Sequence, residues 1–268
     1  MPELRQNFVT KECVIIATER AKRPKDLARQ QPRNAPPAFV ATCPFCPGNE
    51  DKTPPEVLRV PAAAGGPWQV RVVPNKFAAL AREGDPVRSI HRSRRSIGGF
   101  GVHDVIIETP DHSHVTGLMQ DAHVANVLHA YKARYDELSL DPRIAHITVF
   151  KNHGLDAGTS LEHPHSQLIA TPVISSQVRG RFQLALQHHD DCGECMFCQM
   201  IEEEAEEQDR IVLATEHFIV LEPTLPPLPS PPIFILGGTW PALGISVRQR
   251  LSTWPGHYEP FWASCITG

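Results

Sequence analysis

The sequence predicts an α+β fold with a mainly antiparallel sheet and packed helices. Three observations carry that reading. Short runs suited to strands recur at Val70 to Val73, Val102 to Glu108 and Ala145 to Phe150. One longer stretch, Val115 to Leu138, places Val124, Leu128, Tyr131, Tyr135 and Leu138 at spacings of three and four. That helix lies between two of the strands, and a strand, a crossover helix and a strand together form a layered α+β unit.

The elements follow in order. Cys13 to Ala17 reads as a strand running into a basic loop, Thr18-Glu19-Arg20-Ala21-Lys22-Arg23-Pro24. Residues 31–67 hold much of the proline and frame a first cysteine pair. Val70 to Val73 is a strand closed by Pro74-Asn75. Residues 82–99 are rich in arginine and lack apolar periodicity, so they read as a mobile loop. Asp141-Pro142 stops the helix. Ala145, Ile147 and Val149 alternate with His146, Thr148 and Phe150. A loop from Asn152 to Glu162 leads to His163-Pro164-His165-Ser166-Gln167 and the apolar Leu168-Ile169-Ala170. Six acids within residues 202–209 suit a solvated helix face. Ile211 to Leu213 and Phe218 to Leu221 read as a strand pair. From residue 223 the character changes: six of the next ten residues are proline, and Trp240, Trp254 and Trp262 follow with poor periodicity.

Composition excludes several classes of function. The 268 residues are 41% hydrophobic and 21% charged, which suits one globular domain or two small ones. A net charge of −4 gives no basic field for nonspecific nucleic-acid binding. No run of about 18 apolar residues exists for a transmembrane helix. The N-terminal residues have no apolar h-region, so a cytoplasmic location is expected. Seven cysteines, among them the C-x-x-C pairs Cys43/Cys46 and Cys195/Cys198, point to metal rather than disulfides in that setting.

Two motifs carry chemistry. In Cys43-Pro44-Phe45-Cys46-Pro47-Gly48, two thiolates two residues apart can ligate one tetrahedral ion from a tight turn. A redox pair would sit at a helix start after a strand, whereas this pair sits in a proline-rich loop. Two further ligands are needed, and His112 and His163 are available. In the second motif, His163 and His165 stand at i and i+2, so an extended strand projects them to one face. One could ligate a metal while the other acts as nucleophile. Gly158, Thr159 and Ser160 offer N–H groups and hydroxyls suited to phosphate. Asn152 adds an amide at the other end of that loop.

Taken together, these residues resemble the galactose-1-phosphate uridylyltransferase family of the histidine-triad superfamily. Four segments carry the resemblance, in the family's order: Thr18 to Pro24, Cys43 to Gly48, Val72 to Leu80, and Asn152 to Gln167. The resemblance spans roughly residues 1–222. It implies a histidine-triad-like sheet and a structural Zn2+ held by Cys43, Cys46, His112 and His163, with His114 as an alternative to His112. It implies that His165 is the catalytic nucleophile and that Gln167 hydrogen-bonds the transferred phosphoryl group. Asn75 and Phe77 match residues around the nucleoside. Asn152, Gly158, Thr159 and Ser160 match the phosphate loop, and Arg20 and Arg23 match arginines near the phosphates.

The activity so implied moves UMP from UDP-glucose, through a uridylyl-histidine, to galactose 1-phosphate. Imidazole is a good nucleophile when neutral, as it largely is near pH 7. A covalent intermediate splits one hard displacement into two easier ones and predicts ping-pong kinetics. Glutamine in place of a third histidine favours transfer over hydrolysis, because a sugar phosphate leaves without strong acid help. Zinc with four protein ligands has no open position and serves to orient the strand. Nucleotide sugars and hexose 1-phosphates are the expected partners, without nucleic acid or membrane. A homodimer is expected, since family members are commonly dimers.

The resemblance divides the chain into a nucleotidyltransferase domain at 1–175, the start of an incomplete second repeat at 176–223, and an atypical Pro/Trp-rich tail at 224–268. The chain is about a third shorter than the family's usual length. We read the tail as out of frame, which resequencing of the DNA would test. Cys195-Met196-Phe197-Cys198 stands where some relatives bind a second metal, with His188, His189 and His217 as candidate partners and a reduced pair as the plain alternative. Three rival readings remain: an adenylyl-transferring relative such as an ADP-glucose phosphorylase, a zinc-stabilised fragment without catalysis, and a redox protein using the cysteine pairs.

Overall fold

The computed structural model describes residues 3–6, 13–16, 36–62, 66, 68–92, 94–154, 157, 159, 161–215, 218–222 and 233–236. The chain separates into two compact units, residues 30–174 and residues 1–29 with 175–268. No described helix is long and apolar enough to cross a membrane.

At the N-terminus, β1 (Glu3–Gln6) and β2 (Cys13–Ile16) pair antiparallel. In the unit spanning 30–174 come β3 (Leu58–Val60), β4 (Val70–Pro74), β5 (Arg88–His91), β6 (Arg94–Ile97), β7 (Val102–Ile107), α1 (Asp121–Ser139), β8 (His146–Phe150) and β9 (His165–Thr171). Five of these strands form one sheet in the order β3-β4-β7-β9-β8, antiparallel at every pairing. With its helices, this is the expected α+β arrangement.

Strand periodicity divides the sheet into two faces. Val70, Val72, Val102, Ile106, Leu168 and Ala170 face α1 and form a core with Val127, Ala130, Leu138 and Ile144. The alternate residues Val73, Val105 and Ile107 form a second core with Cys43, Phe45, Cys46 and Trp68. The sheet is therefore covered by a helix on one side and by the cysteine loop on the other.

Three expectations require correction. The helix begins at Asp121, not Val115, because a short 3-10 turn at Thr116–Leu118 is tied down first: the Thr116 hydroxyl donates to Glu108 and His114 Nε2 donates to the Leu118 carbonyl. The buried stripe of α1 is Val127, Ala130, Arg134 and Leu138, whereas Leu128 is half exposed. A charged residue sits in that stripe because Arg134 Nε donates to the buried Asp104 carboxylate at 2.6 Å. Finally, residues 82–99 contain a hairpin: β5 pairs antiparallel with β6, with a cross-strand Ser89–Ser96 hydroxyl contact of 2.6 Å and Arg92 turning at φ 55°.

In the other unit, α2 (Ser176–Cys192), α3 (Met196–Glu207), β10 (Ile211–Ala214), β11 (Phe218–Leu221) and β12 (Ile233–Leu236) follow. Ser175 caps α2 by accepting from the Val178 N–H, and Gly193 ends it at φ 79°, a conformation that favours glycine. Sequence periodicity did not single out α2, because only Ala185 on it is buried. Most of the acidic face of α3 is exposed, but Glu204 is buried and receives Arg210 at 2.9 Å. The expected pair β10–β11 extends to a third antiparallel strand, β12, within the segment read as lacking periodicity. The remainder of 224–268 lies outside the described residues.

Candidate active site

β9 is the centre of the site. Along it, Ser166, Leu168 and Ala170 are buried toward α1, while His165, Gln167 and Ile169 are half-buried on the opposite face. The i, i+2 spacing thus places His165 and Gln167 side by side on the open face. β7 lines the same face, since Val105 pairs with Gln167 and Ile107 with His165.

Just before β9, His163 is fully buried beside Cys43, Cys46 and His112. One donor atom from each of the four lies within 4.8 Å of the others, so this Cys2His2 group could hold a metal ion. His163 Nδ1 is 3.3 Å from His112 Nδ1, 3.7 Å from Cys46 Sγ and 3.8 Å from Cys43 Sγ, and Cys46 Sγ is 3.5 Å from His112 Nδ1. Bonds of ~2.0–2.1 Å to nitrogen and ~2.3 Å to sulfur give a tetrahedron with edges of about 3.3 Å (N to N) and about 3.5 Å (N to S). The donor spacing fits that tetrahedron. Protonation fits too. His163 Nε2 donates to the Thr109 carbonyl at 2.8 Å, so Nδ1 carries the lone pair that faces the cluster. Burial pushes the His163 imidazole down to about 4, which keeps it neutral.

The loop that presents the thiols is built for the purpose. Phe45 N–H donates to Cys43 Sγ and Val40 N–H to Cys46 Sγ, each at 3.4 Å. Gly48 turns the chain at φ 86°, and Asn49 Nδ2 donates to the carbonyls of Ala41 and Cys43. With no metal, burial raises the Cys43 thiol above its ordinary value. The geometry separates the two candidate histidines: His112 joins the cluster, and His114 is held by the Leu118 carbonyl.

The cysteine loop also touches the reacting strand. The Phe45 ring lies edge-on to His163 at 6.0 Å and to His165 at 5.4 Å. His165 Nδ1 donates to the His163 carbonyl at 2.8 Å, since a carbonyl can only accept. That leaves the lone pair on Nε2, on the open face. Gln167 Oε1 accepts from His103 Nε2 at 2.8 Å.

Under β9, on the α1 side, lies a buried carboxylate. Glu108 receives the Ser166 hydroxyl, the Lys151 ammonium, and the Tyr131 hydroxyl at 3.0 Å. Burial alone would raise Glu108, but Lys151, Ser166 and Tyr131 together hold its carboxyl below the ordinary range. Burial and the Glu108 charge in turn push the Tyr131 phenol up. Lys151 directly precedes Asn152, so this network ties the start of the 152–162 loop to the underside of β9.

The other sequence-predicted residues distribute as follows. Asn75 Oδ1 accepts from the Phe77 N–H at 2.9 Å, and Asn75 Nδ2 is 3.1 Å from His103 Nε2. Phe77 is 86% exposed, the most exposed large apolar side chain among the described residues. Asn152 is exposed, and the Thr159 hydroxyl is buried without a hydrogen-bond partner among the described residues. Arg20, Arg23, Gly158, Ser160 and His217 lie outside the described residues. Among the described residues, Cys195, Cys198, His188 and His189 do not gather as a metal-ligand group; His188 Nε2 instead contacts Cys192 Sγ at 3.2 Å. Sequence reasoning missed His103, Glu108 and Lys151. A histidine two residues before Val105 in an apolar strand was the available signal for the first.

Known proteins are similar to this chain in sequence and fold. An ADP-glucose phosphorylase of Arabidopsis thaliana is 36% identical over 224 residues, which cover 83% of this chain and 62% of that protein. A galactose-1-phosphate uridylyltransferase of Thermotoga maritima is 27% identical over 224 residues, covering 83% and 63%. A crystal structure of an ADP-glucose phosphorylase from Arabidopsis thaliana with bound ADP-glucose superposes with a TM-score of 0.67 at 35% identity, over 83% of this chain and 64% of that one. A uridylyltransferase structure at 23% identity shares the fold with a TM-score of 0.57. The chain thus spans less than two thirds of the length of these relatives. Residues 1–175 match the family described as galactose-1-phosphate uridyl transferase, N-terminal domain. With the cysteine loop, the HPHSQ strand and the sheet all in the family's order, the chain belongs to the galactose-1-phosphate uridylyltransferase family.

Proposed function

We propose that this chain is a nucleotidyltransferase that takes a nucleoside monophosphate from a nucleoside-diphosphate hexose onto His165. The observation that carries the reading is the fixed tautomer of His165: Nδ1–H is committed to the His163 carbonyl, and Nε2 presents its lone pair on the open face beside Gln167. Nε2 attacks the α-phosphorus, an N–P bond forms, and the bond to the bridging oxygen breaks. The electron pair leaves with the hexose 1-phosphate, whose second pKa is about 6, so it departs without a strong acid. In the second half, a phosphate oxygen of the acceptor attacks phosphorus, and the N–P bond breaks to restore His165.

Each remaining residue has a part in that scheme. Gln167 donates its amide to a non-bridging phosphoryl oxygen, where charge builds in the transition state. Thr159, with its unspent hydroxyl, and Asn152 bind the neighbouring phosphate. Phe77, projecting from its turn, offers a face for the base, and Asn75 shapes that turn. Arg20, Arg23, Gly158 and Ser160 complete the phosphate contacts in this reading. Zn2+ is the ion we assign to Cys43, Cys46, His112 and His163; it has no open position and supplies structural cross-linking.

For the nucleotide, we favour adenylyl transfer from ADP-glucose, supported by the higher identity to an ADP-glucose phosphorylase. The acceptor would then be inorganic phosphate. Uridylyl transfer from UDP-glucose to galactose 1-phosphate is the second reading, supported by the family profile over residues 1–175. The test is the intact mass of metal-loaded protein after incubation with ADP-glucose or UDP-glucose. An adenylyl adduct that is absent in His165→Ala supports the first reading, and a uridylyl adduct the second. No adduct from either, on folded metal-loaded chain, refutes transfer through His165.

A further inference from the structure

His103 stands on β7 where the turn carrying Phe77 meets the reacting strand, and nothing in the scheme above uses it. A backbone contact sets the tautomer of its ring. The Ala79 backbone N–H points at His103 Nδ1 from 3.1 Å, and an amide N–H can only donate. Nδ1 therefore accepts, and the ring proton sits on Nε2. That proton faces Gln167 Oε1 at 2.8 Å. A Gln167 amide turned by 180° would set its NH2 against the Nε2–H, donor against donor.

We propose that His103 is the positioning residue that fixes the Gln167 amide, oxygen inward and NH2 outward, so that a donor faces the transferred phosphoryl group. This rests on the assignment of His165 as nucleophile. The chain of contacts runs from Ala79 N–H through the imidazole to Gln167, so the turn that bears Phe77 and the phosphate donor are set by one ring. Asn75 lies beside the same ring but makes no hydrogen bond to it: its oxygen is taken by the Phe77 N–H, and its NH2 stands 3.1 Å from His103 Nε2, so Gln167 Oε1 is the acceptor that the Nε2–H has there. Seating of a base against Phe77 and orientation of Gln167 are thereby coupled.

Two substitutions separate the two jobs of the ring. His103→Asn keeps an oxygen near the Nδ1 position for Ala79 N–H but removes the donor to Gln167. His103→Gln places an amide NH2 near the Nε2 position and restores that donor. Loss of the bias between two amide orientations alone leaves about half of the population competent, at most about a twofold loss, and loss of a whole transition-state donor costs about 100- to 1,000-fold. The His103→Asn loss should lie between those limits.

The experiment is single-turnover formation of nucleotidyl-His165 from ADP-glucose and from UDP-glucose, followed by intact mass on metal-loaded protein. His103→Asn is expected to slow the step about tenfold at saturating nucleotide sugar, with half-saturation changed less than threefold. His103→Gln is expected to recover most of that loss. In a Gln167→Ala background, His103→Asn is expected to add less than twofold. Equal rates for His103→Asn and wild type overturn the proposal. So does a His103→Gln no better than His103→Asn, or a full additional loss in the Gln167→Ala background. If wild type forms no adduct, the nucleophile assignment fails by itself, and 15N NMR of the His103 ring then decides this proposal. A proton on Nε2, hydrogen-bonded to Gln167, supports it; a proton on Nδ1 overturns it.

Discussion

Replacing Glu108 with glutamine should destabilise the 30–174 unit by about 2–3 kcal/mol at pH 7. The carboxylate is 1% exposed and accepts from an ammonium and from three hydroxyls, of which the Thr116 contact, at 3.3 Å, is the longest. Hydrogen bonds to a charged group contribute about 1.5–3 kcal/mol each, roughly twice a neutral one. Glutamine keeps the volume and one acceptor, so the Ser166 and Tyr131 bonds each weaken by ~0.5–1 kcal/mol. Lys151 is 27% exposed and can turn to water, so its lost pair costs about 1 kcal/mol, between surface and buried values. At about 2–4 °C per kcal/mol, the melting temperature should fall by roughly 4–12 °C. The pH dependence gives a second check. Folding holds Glu108 below its ordinary value of 4.5, so its contribution is complete above that pH and is lost as pH falls through the lower folded value. The gap between wild type and Glu108→Gln, measured by urea denaturation of metal-loaded protein, should therefore hold from pH 7 to about 5 and close in acid. A gap below about 0.5 kcal/mol at pH 7, or one that stays constant down to pH 3, would refute the account of Glu108 as a charged brace.

Three further outcomes are expected. Phe45→Ala should cost about 3–5 kcal/mol in chemical denaturation and slow His165 modification, whereas Phe45→Leu should cost about 1 kcal/mol; equal costs would show that ring packing on the two histidines contributes nothing. Removing one of Arg134 or Asp104 should cost about 3–5 kcal/mol, while the double replacement Arg134→Met with Asp104→Leu should lie within ~1 kcal/mol of wild type by denaturant melts. Chelation at pH 7 should lower stability by at least about 4 kcal/mol relative to protein holding free zinc at 1,000 times its Kd, and calorimetry that shows no shift would exclude a metal held by the four buried donors.

Much of this architecture was legible because it follows from period and spacing. The strand pattern of β8 and the cysteine pair before Gly48 each dictate local geometry without help from distant residues, whereas His163 lies at a bend before β9, outside the strand on which the i, i+2 reading placed it with His165. What escaped depends on long-range partners. Leu128 satisfied the helical spacing yet is exposed, because Arg134 is drawn into the stripe by Asp104, thirty positions earlier. The hairpin at 88–97 carries no apolar alternation, since every described side chain of β5 is exposed and its pairing is held by the backbone ladder and a serine contact. His103 and Glu108 are single polar residues at or beside an apolar strand. Their partners Ala79, Gln167, Lys151 and Ser166 come from elsewhere in the chain, so no local pattern marks them.

The two faces of β9 explain why such unlike residues converge on a five-residue motif. A nucleophile on a strand can be misplaced by rotation of its own ring or by sliding of the strand. Rotation is opposed from the open face, where the His163 carbonyl holds Nδ1 and Phe45 abuts the ring. Sliding is opposed by neighbours along and beneath the strand: the Pro164 carbonyl accepts from the Glu108 N–H at 3.2 Å, Ser166 is held by the Glu108 carboxylate, and His163 is held within the cysteine cluster. Glu108 contributes to two of these restraints, one through its backbone and one through its side chain. A substitution that keeps the backbone and loses the charge, Glu108→Gln, should therefore soften the position of His165 while leaving its tautomer intact. In nucleotidyl transfer through His165, its effect would fall on the rate of phosphoryl capture rather than on which nitrogen attacks.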